Sequence, residues 1–264
     1  MYKLIISYHG ANYHGWQVQP DRPTVQEALE QACGRVLGRR CHTLASGRTD
    51  SGVHAIGQVV GLRFLDAEEA EVDPESVKKK PTHLPPERLM YALNATLPRD
   101  IAVVGAEEVP KTFHAIRDAK RKRYRYVLYD GSHRDVFASG LCWQYGRGRL
   151  DHEAMAKAAE CLVGEHDFSS FEKAGAPRAD SIRTIYEMSV VRETRGESDD
   201  FLTFEVEGNG FLYGMVRNIV GTLVEVGRGA RAAETMEPLL VACDRSQAGP
   251  TAPPEGLFLV RVDY

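Results

Sequence analysis

The stretch Gly47-Arg48-Thr49-Asp50-Ser51-Gly52 gathers a guanidinium, two hydroxyls and a carboxylate between two glycines. Gly, Asp and Ser are standard turn formers, so composition alone fits a strand-to-strand turn. Two details point further. Asp50 falls where flanking strand ends can hold a side chain rigidly, and Arg48 lies two residues before it. A carboxylate that acts as nucleophile or base must be ionised, and a nearby guanidinium favours that form. A phosphatase-style aspartate nucleophile wants a second Asp two residues on, and Gly52 occupies that place.

A second group lies downstream. Lys120, Arg121, Lys122, Arg123 and Arg125 form a basic run interleaved with Tyr124. Such a run reads equally as a solvated face or as a phosphate contact. Tyr124 and Tyr126 alternate as ordinary strand packing would, yet bases also stack on aromatics where cations hold phosphates. The net charge of −4 does not exclude a polyanionic partner, because binding depends on where cations cluster. The acidic residues gather elsewhere, in 66–71 and 193–200.

Arg217 stands in an otherwise apolar helical stretch, where an Arg is costly without a partner, structural or catalytic. Phe168 and Phe171, three apart, read as core, and His54 and His114 as hydrogen-bonded side chains. The five cysteines are scattered without a CxxC pair, which suits a reducing compartment, and the nine histidines form no HExxH spacing. A metal site therefore has no positive evidence. The N-terminus lacks the apolar core of a signal peptide and no stretch has the length of a membrane helix, so a cytoplasmic protein with no membrane partner is expected.

The elements that must position these groups mix strands and helices irregularly, which points to α+β. Strands are expected over 2–8, 41–46 and 53–64, the last two flanking the Asp50 turn. Thr24-Val25-Gln26-Glu27 is a capping-box pattern opening a helix whose Val25, Ala28, Leu29, Ala32, Val36 and Leu37 share a face. The acidic, then Lys- and Pro-rich segment 65–86 reads as an exposed loop, followed by a helix near 86–95 and a strand near 100–109. A strand near 121–129 starts the second half, and Asp151 caps a helix with Met155, Ala158, Ala159 and Leu162 on one face. Strands over 183–192 and 201–207, a buried helix over 211–226 ending at Gly227, and a strand over 257–262 complete the reading.

The sequence 47–55, Gly-Arg-Thr-Asp-Ser-Gly-Val-His-Ala, closely resembles the signature of TruA-type tRNA pseudouridine synthases. So do Tyr13-His14-Gly15-Trp16-Gln17 with Thr24-Val25-Gln26-Glu27, then Asn94-Ala95-Thr96-Leu97-Pro98, Phe113-His114-Ala115 and Arg123-Tyr124-Arg125-Tyr126. Phe168-Ser169-Ser170-Phe171, Met215-Val216-Arg217-Asn218-Ile219-Val220-Gly221 and Glu255-Gly256-Leu257-Phe258-Leu259 continue the series in family order along essentially the whole chain.

The resemblance implies a fold of two similar mixed α/β halves, 1–109 and 110–264, with antiparallel sheets meeting at a central cleft. It implies isomerisation of uridine to pseudouridine at position 38, 39 or 40 of the tRNA anticodon stem-loop, without metal or redox cofactor, by a homodimer that acts on tRNA and not DNA. Asp50 would be the catalytic carboxylate, Tyr124 would stack on the base, Arg217 would pair with Asp50 and Arg48 would help extrude the base. Lys120, Arg121, Lys122, Arg123 and Arg125 would supply RNA contacts. A catalytically silent RNA-binding protein on the same scaffold is the competing expectation. Three positions depart from the family: Ser51 stands for Ala, Ile116 for Arg, and Gly214 for His, the last removing a polar group near Arg217.

Overall fold

Alternation of Tyr2, Leu4, Ile6 and Tyr8 with Lys3, Ile5 and Ser7 gives a strand with one face fully buried, β1 (Tyr2–Tyr8). This computed structural model describes residues 1–38, 40–65, 83–173, 175, 180–195 and 198–264. The expected loop at 65–86 lies mostly outside the described residues. The chain divides into two compact units, residues 1–120 with 259–264 and residues 121–258. The second boundary returns the last strand to the first unit.

In the first unit β1 pairs antiparallel with β3 (His54–Phe64) on one side, Ile5 opposite Val59, and with β4 (Ile101–Glu108) on the other. The β2 strand (Cys41–Ala45) pairs with β3, and β10 (Leu257–Asp263) is the further neighbour of β3. Helix α1 (Val25–Leu37) starts where expected, with the Thr24 side chain accepting from Glu27 N at 3.4 Å. It buries Val25, Leu29, Ala32 and Leu37 of the expected face together with Gln26 and Cys33, while Ala28 and Val36 are half-buried. Helix α2 (Pro86–Asn94) buries Leu89 and Leu93 and precedes β4.

In the second unit the order is β5–β9–β8–β7, with β5 (Arg121–Tyr129), β7 (Gly164–Asp167), β8 (Ile182–Arg195) and β9 (Ser198–Gly208) antiparallel. A two-residue strand, β6 (Trp143–Gln144), runs parallel to β5. Helix α3 (His152–Ala159) is capped by Asp151, whose carboxylate accepts from Ala154 N at 2.9 Å. Met155, Ala158, Ala159 and the following Leu162 are buried as the periodicity implied, and Phe168 and Phe171 are core residues.

Both ends of one helix differ from the sequence reading. Helix α4 spans Met215–Gly227 rather than starting at Phe211, because Gly214 takes a left-handed φ of 70° and sets the helix start. Gly227 lies inside the helix and Arg228 caps it. A short helix α5 (Met236–Ala242), together with β6 and β7, carried no periodic signal strong enough to read.

Candidate active-site elements

Asp50 sits on the bend between β2 and β3, half-buried, beside an exposed Arg48. The bend is built on a buried polar cluster. Ser46 Oγ donates to Gln58 Oε1 at 2.7 Å, and Gln58 Nε2 donates to the Gly47 carbonyl at 2.7 Å. Ahead of Asp50, Thr49 is gripped twice: its hydroxyl shares a 2.7 Å hydrogen bond with the Tyr8 hydroxyl, and its carbonyl accepts from Trp16 N at 3.1 Å. Burial pushes the Tyr8 phenol up to about 12, so it stays a neutral partner. Beyond Asp50, the Tyr13 carbonyl accepts from Gly52 N at 3.3 Å and from Ser51 Oγ at 3.4 Å, while Val53 N returns to the Asp50 carbonyl at 3.1 Å.

The Tyr13–Gln17 motif thus has a physical task, which is to clamp both shoulders of the Asp50 bend. Gly15 is required at its centre. Its φ is +87°, and a Cβ there would lie 2.6 Å from the Thr49 carbonyl. The same segment faces α1 on its other side, where Gly15 and Trp16 carbonyls accept from Val25 N at 3.3 Å and Gln26 N at 3.0 Å. Two separated sequence motifs therefore form one support. Both histidines of interest are hydrogen-bonded to backbone: His54 Nδ1 accepts from Gly10 N at 3.0 Å, and His114 Nδ1 accepts from Ile116 N and Arg117 N at 3.3 and 3.2 Å. Ile116 itself is exposed.

In the second unit, strand alternation splits the basic run. Lys122, Tyr124 and Tyr126 share one face of β5, and Arg121, Arg123 and Arg125 share the other. The register sets Arg123 opposite Glu207, which is in turn opposite Glu187, and sets Arg125 opposite Glu205. Arg123 consequently donates to three carboxylates, Glu207 at 2.9 Å, Glu205 at 3.1 Å and Glu187 at 2.6 Å. Arg125 donates twice to Glu205, at 2.8 and 2.6 Å, and Arg121 reaches Glu207 at 3.2 Å while lying 4.6 Å over the Tyr186 ring. Sequence spacing could not show these acids, because they lie more than sixty residues away along the chain. Lys120 belongs to the first unit, its backbone N–H donating to Asp263 at 2.8 Å. On the other face of β5, burial and the Arg183 charge push the Lys122 ammonium down to about 8.

Tyr124 is buried with Phe211 edge-on to its ring at 5.0 Å. Arg217 occupies the first turn of α4, half-buried, and its Nε donates to the Ala252 carbonyl at 2.7 Å. Ala252 N donates back to the Arg217 carbonyl at 3.1 Å. The adjacent Asn218, fully buried, donates to Phe171 O at 2.7 Å and accepts from Thr251 Oγ1 at 2.7 Å. These bonds strap segment 249–253 to α4 and fix the guanidinium stem. Tyr126 closes the strap by donating to the Pro253 carbonyl at 2.8 Å. Burial and Glu255 hold its phenol well above the ordinary range, against the opposing charge of Arg217. Gly214, just before α4, has a φ of +70°, and a Cβ there would lie 3.2 Å from Lys173 Cβ.

Among the described residues no group of three or more His, Cys, Asp or Glu could hold a metal ion, and no helix is long and apolar enough to cross a membrane.

The helices and mostly antiparallel strands fit the pseudouridine synthase fold, and the match to that family makes the protein an isomerase. A family model described as tRNA pseudouridine synthase matches residues 4–117 and 158–264. Similar curated proteins include "tRNA pseudouridine synthase A" of Thermoanaerobacter sp. (strain X514), 41% identical over 261 residues, covering 99% of this chain and 98% of that protein. The protein of the same name from Moorella thermoacetica (strain ATCC 39073 / JCM 9320) is 43% identical over 264 residues, with 99% and 98% covered. That of Myxococcus xanthus is 41% identical over 262 residues, with 99% and 91% covered. The chain belongs to the tRNA pseudouridine synthase family.

Proposed function

We propose that this enzyme converts uridine to pseudouridine at position 38, 39 or 40 in the anticodon stem-loop of tRNA. The C1′–N1 glycosidic bond breaks, C1′ bonds to C5 of the same base, the C5 proton leaves and N1 is protonated, so no cofactor is consumed. Asp50 is the catalytic carboxylate, whether it attacks sugar or base or removes a sugar proton, since each route asks for one positioned, ionised carboxylate. The observation that carries the reading is the bend itself. Asp50 is half-buried while residues on both sides of it are hydrogen-bonded to a separate segment, which holds a reacting group without enclosing it.

The remaining roles come from the family resemblance. Arg48 helps to draw out the target nucleotide, whose unstacking costs a few kcal/mol that RNA contacts must offset. Tyr124 stacks on the uracil, and Arg217 pairs with Asp50 and favours its charged form. Lys120–Arg125 is the candidate contact stretch for phosphates. Within it Lys122 lies on the Tyr124 face, whereas Arg121, Arg123 and Arg125 would have to leave or share their glutamates. A cytoplasmic homodimer is the assembly that the family implies.

The direct test is Asp50→Ala. Pseudouridine formation in uridine-labelled tRNA should fall by at least about a thousandfold, as expected for removal of a group that reacts. Binding of tRNA should persist. Turnover by the folded variant would remove Asp50 from the chemistry, and absence of product with wild-type protein would favour a silent RNA binder.

A further inference from the structure

Asp100 lies outside every motif that the reaction uses, yet it organises the support beneath the Asp50 bend. It follows Asn94-Ala95-Thr96-Leu97-Pro98, where Asn94 fixes the entry to β4 by accepting from Val103 N at 2.7 Å and donating to Val103 O at 2.8 Å. That junction holds Asp100 at the start of β4, where its carbonyl accepts from His9 N at 2.9 Å. Its carboxylate accepts the Tyr13 hydroxyl at 2.6 Å and Asn12 Nδ2 at 3.0 Å. Tyr13 is the residue whose carbonyl receives Gly52 N and Ser51 Oγ.

We propose that Asp100 is a positioning residue for catalysis, acting through Tyr13 on the far shoulder of the Asp50 bend. The inference rests on the reading of Asp50 as the catalytic carboxylate. A chain of three links joins the two acids: the Asp100 carboxylate fixes the Tyr13 ring, the ring fixes its own backbone, and that backbone carbonyl fixes Gly52 and Ser51. The Tyr13 side chain is buried, so its hydroxyl needs an acceptor. A charge-assisted hydrogen bond is roughly twice as strong as a neutral one, which is why a carboxylate there defines the ring better than an amide would. Partial burial raises the Asp100 carboxyl, but hydrogen bonds from Tyr13 and Asn12 outweigh it and hold the group below its ordinary range. Burial and Asp100 push the Tyr13 phenol up, so the proton stays on tyrosine. The near shoulder has a hold of its own from outside the Tyr13–Gln17 segment, the Tyr8 hydroxyl of β1 on Thr49. Loss of Asp100 should therefore loosen one side of the bend and leave the sheet intact.

The test combines kinetics with amide hydrogen exchange on Asp100→Asn, Tyr13→Phe, the double variant and Asp50→Ala. For Asp100→Asn and Tyr13→Phe we expect kcat to fall about tenfold with KM within about twofold, since misplacement of a reacting group acts on the chemical step. Exchange at the Gly52 and Val53 amides should quicken by about tenfold or more, while the β1–β3 ladder from Leu4 to Val60 keeps its protection. The double variant should be no slower than the worse single one, because both changes cut the same link. Wild-type kcat in a folded Asp100→Asn, or faster exchange spread evenly over the ladder, would overturn the proposal. The Asp50→Ala arm separates the failures. If that variant turns over, the reading of Asp50 falls; if it is inert while Asp100→Asn reacts normally, only the positioning role falls.

Discussion

Lys122 and the arginines beside it show how far a single residue's neighbours change its meaning. Its ammonium, pushed down to about 8 by burial and Arg183, has a folded value below its ordinary 10.5. The sign follows from proton counting: below about pH 8 both folded and unfolded chains carry the proton and the cost of burying the charge is present in full. Between pH 8 and 10.5 the unfolded chain binds more protons, so this cost is relieved as pH rises. Binding has the opposite slope. If Lys122 meets a phosphate, tRNA affinity should weaken about tenfold from pH 7 to pH 9 through this one proton, and Lys122→Gln should flatten the profile in a filter-binding assay. An equal slope in both proteins would exclude Lys122 as a contact. At this scale the place of Asp50 on a strand-to-strand bend was legible, because Gly, Asp and Ser between two apolar runs mark a turn. Asp100 was not, since its partner Tyr13 is 87 residues away and nothing local marks the pair.

At the scale of elements, a pleated surface puts side chains in rows, and the rows decide what a charge run can do. Sequence reading found strand β5 within its true bounds and the tyrosine–cation alternation along it, but it could not see that β9 and β8 lay glutamates across the arginine face. Those pairs are partly exposed, and each is worth at most about 1 kcal/mol to stability, so they restrain the arginines more than they hold the sheet. Glu205→Gln releases one carboxylate from both Arg123 and Arg125. Affinity for tRNA should then rise, and the slope of log affinity against log salt should steepen by about 0.7–0.9 for each arginine newly engaged with a phosphate. An unchanged slope would mean that this face of β5 looks away from RNA. The α4 boundary was misplaced for a related reason: the apolar run from Phe211 looks helical, and only the left-handed backbone of Gly214 ends the ambiguity.

For the molecule as a whole, the expected division at residue 109 and the observed units are both cut near the middle of the chain, but the fate of the last strand is a matter of non-local pairing, which periodicity cannot report. Residues 259–264 are integral to the first unit: Leu259 and Val262 are buried, the Tyr264 hydroxyl donates to Ala115 O at 2.7 Å, and the Tyr264 ring lies 5.1 Å from Phe113. Deleting them removes two buried aliphatic side chains, roughly 3–6 kcal/mol of burial. The chain's two tryptophans fall one in each unit, Trp16 and Trp143. In Trp143→Phe protein, urea unfolding followed through Trp16 should therefore shift to lower denaturant on deletion of 259–264. No shift would show the first unit to be self-sufficient.

That same strand imposes an order on birth of the enzyme. The edge of β3 that β10 covers stays open on the nascent polypeptide until everything up to residue 258 has been translated, so the Asp50 bend is built early on a scaffold completed late. A ribosome stalled anywhere in the second half of the message would thus display an uncapped sheet margin, a natural handle for a chaperone and a hazard without one.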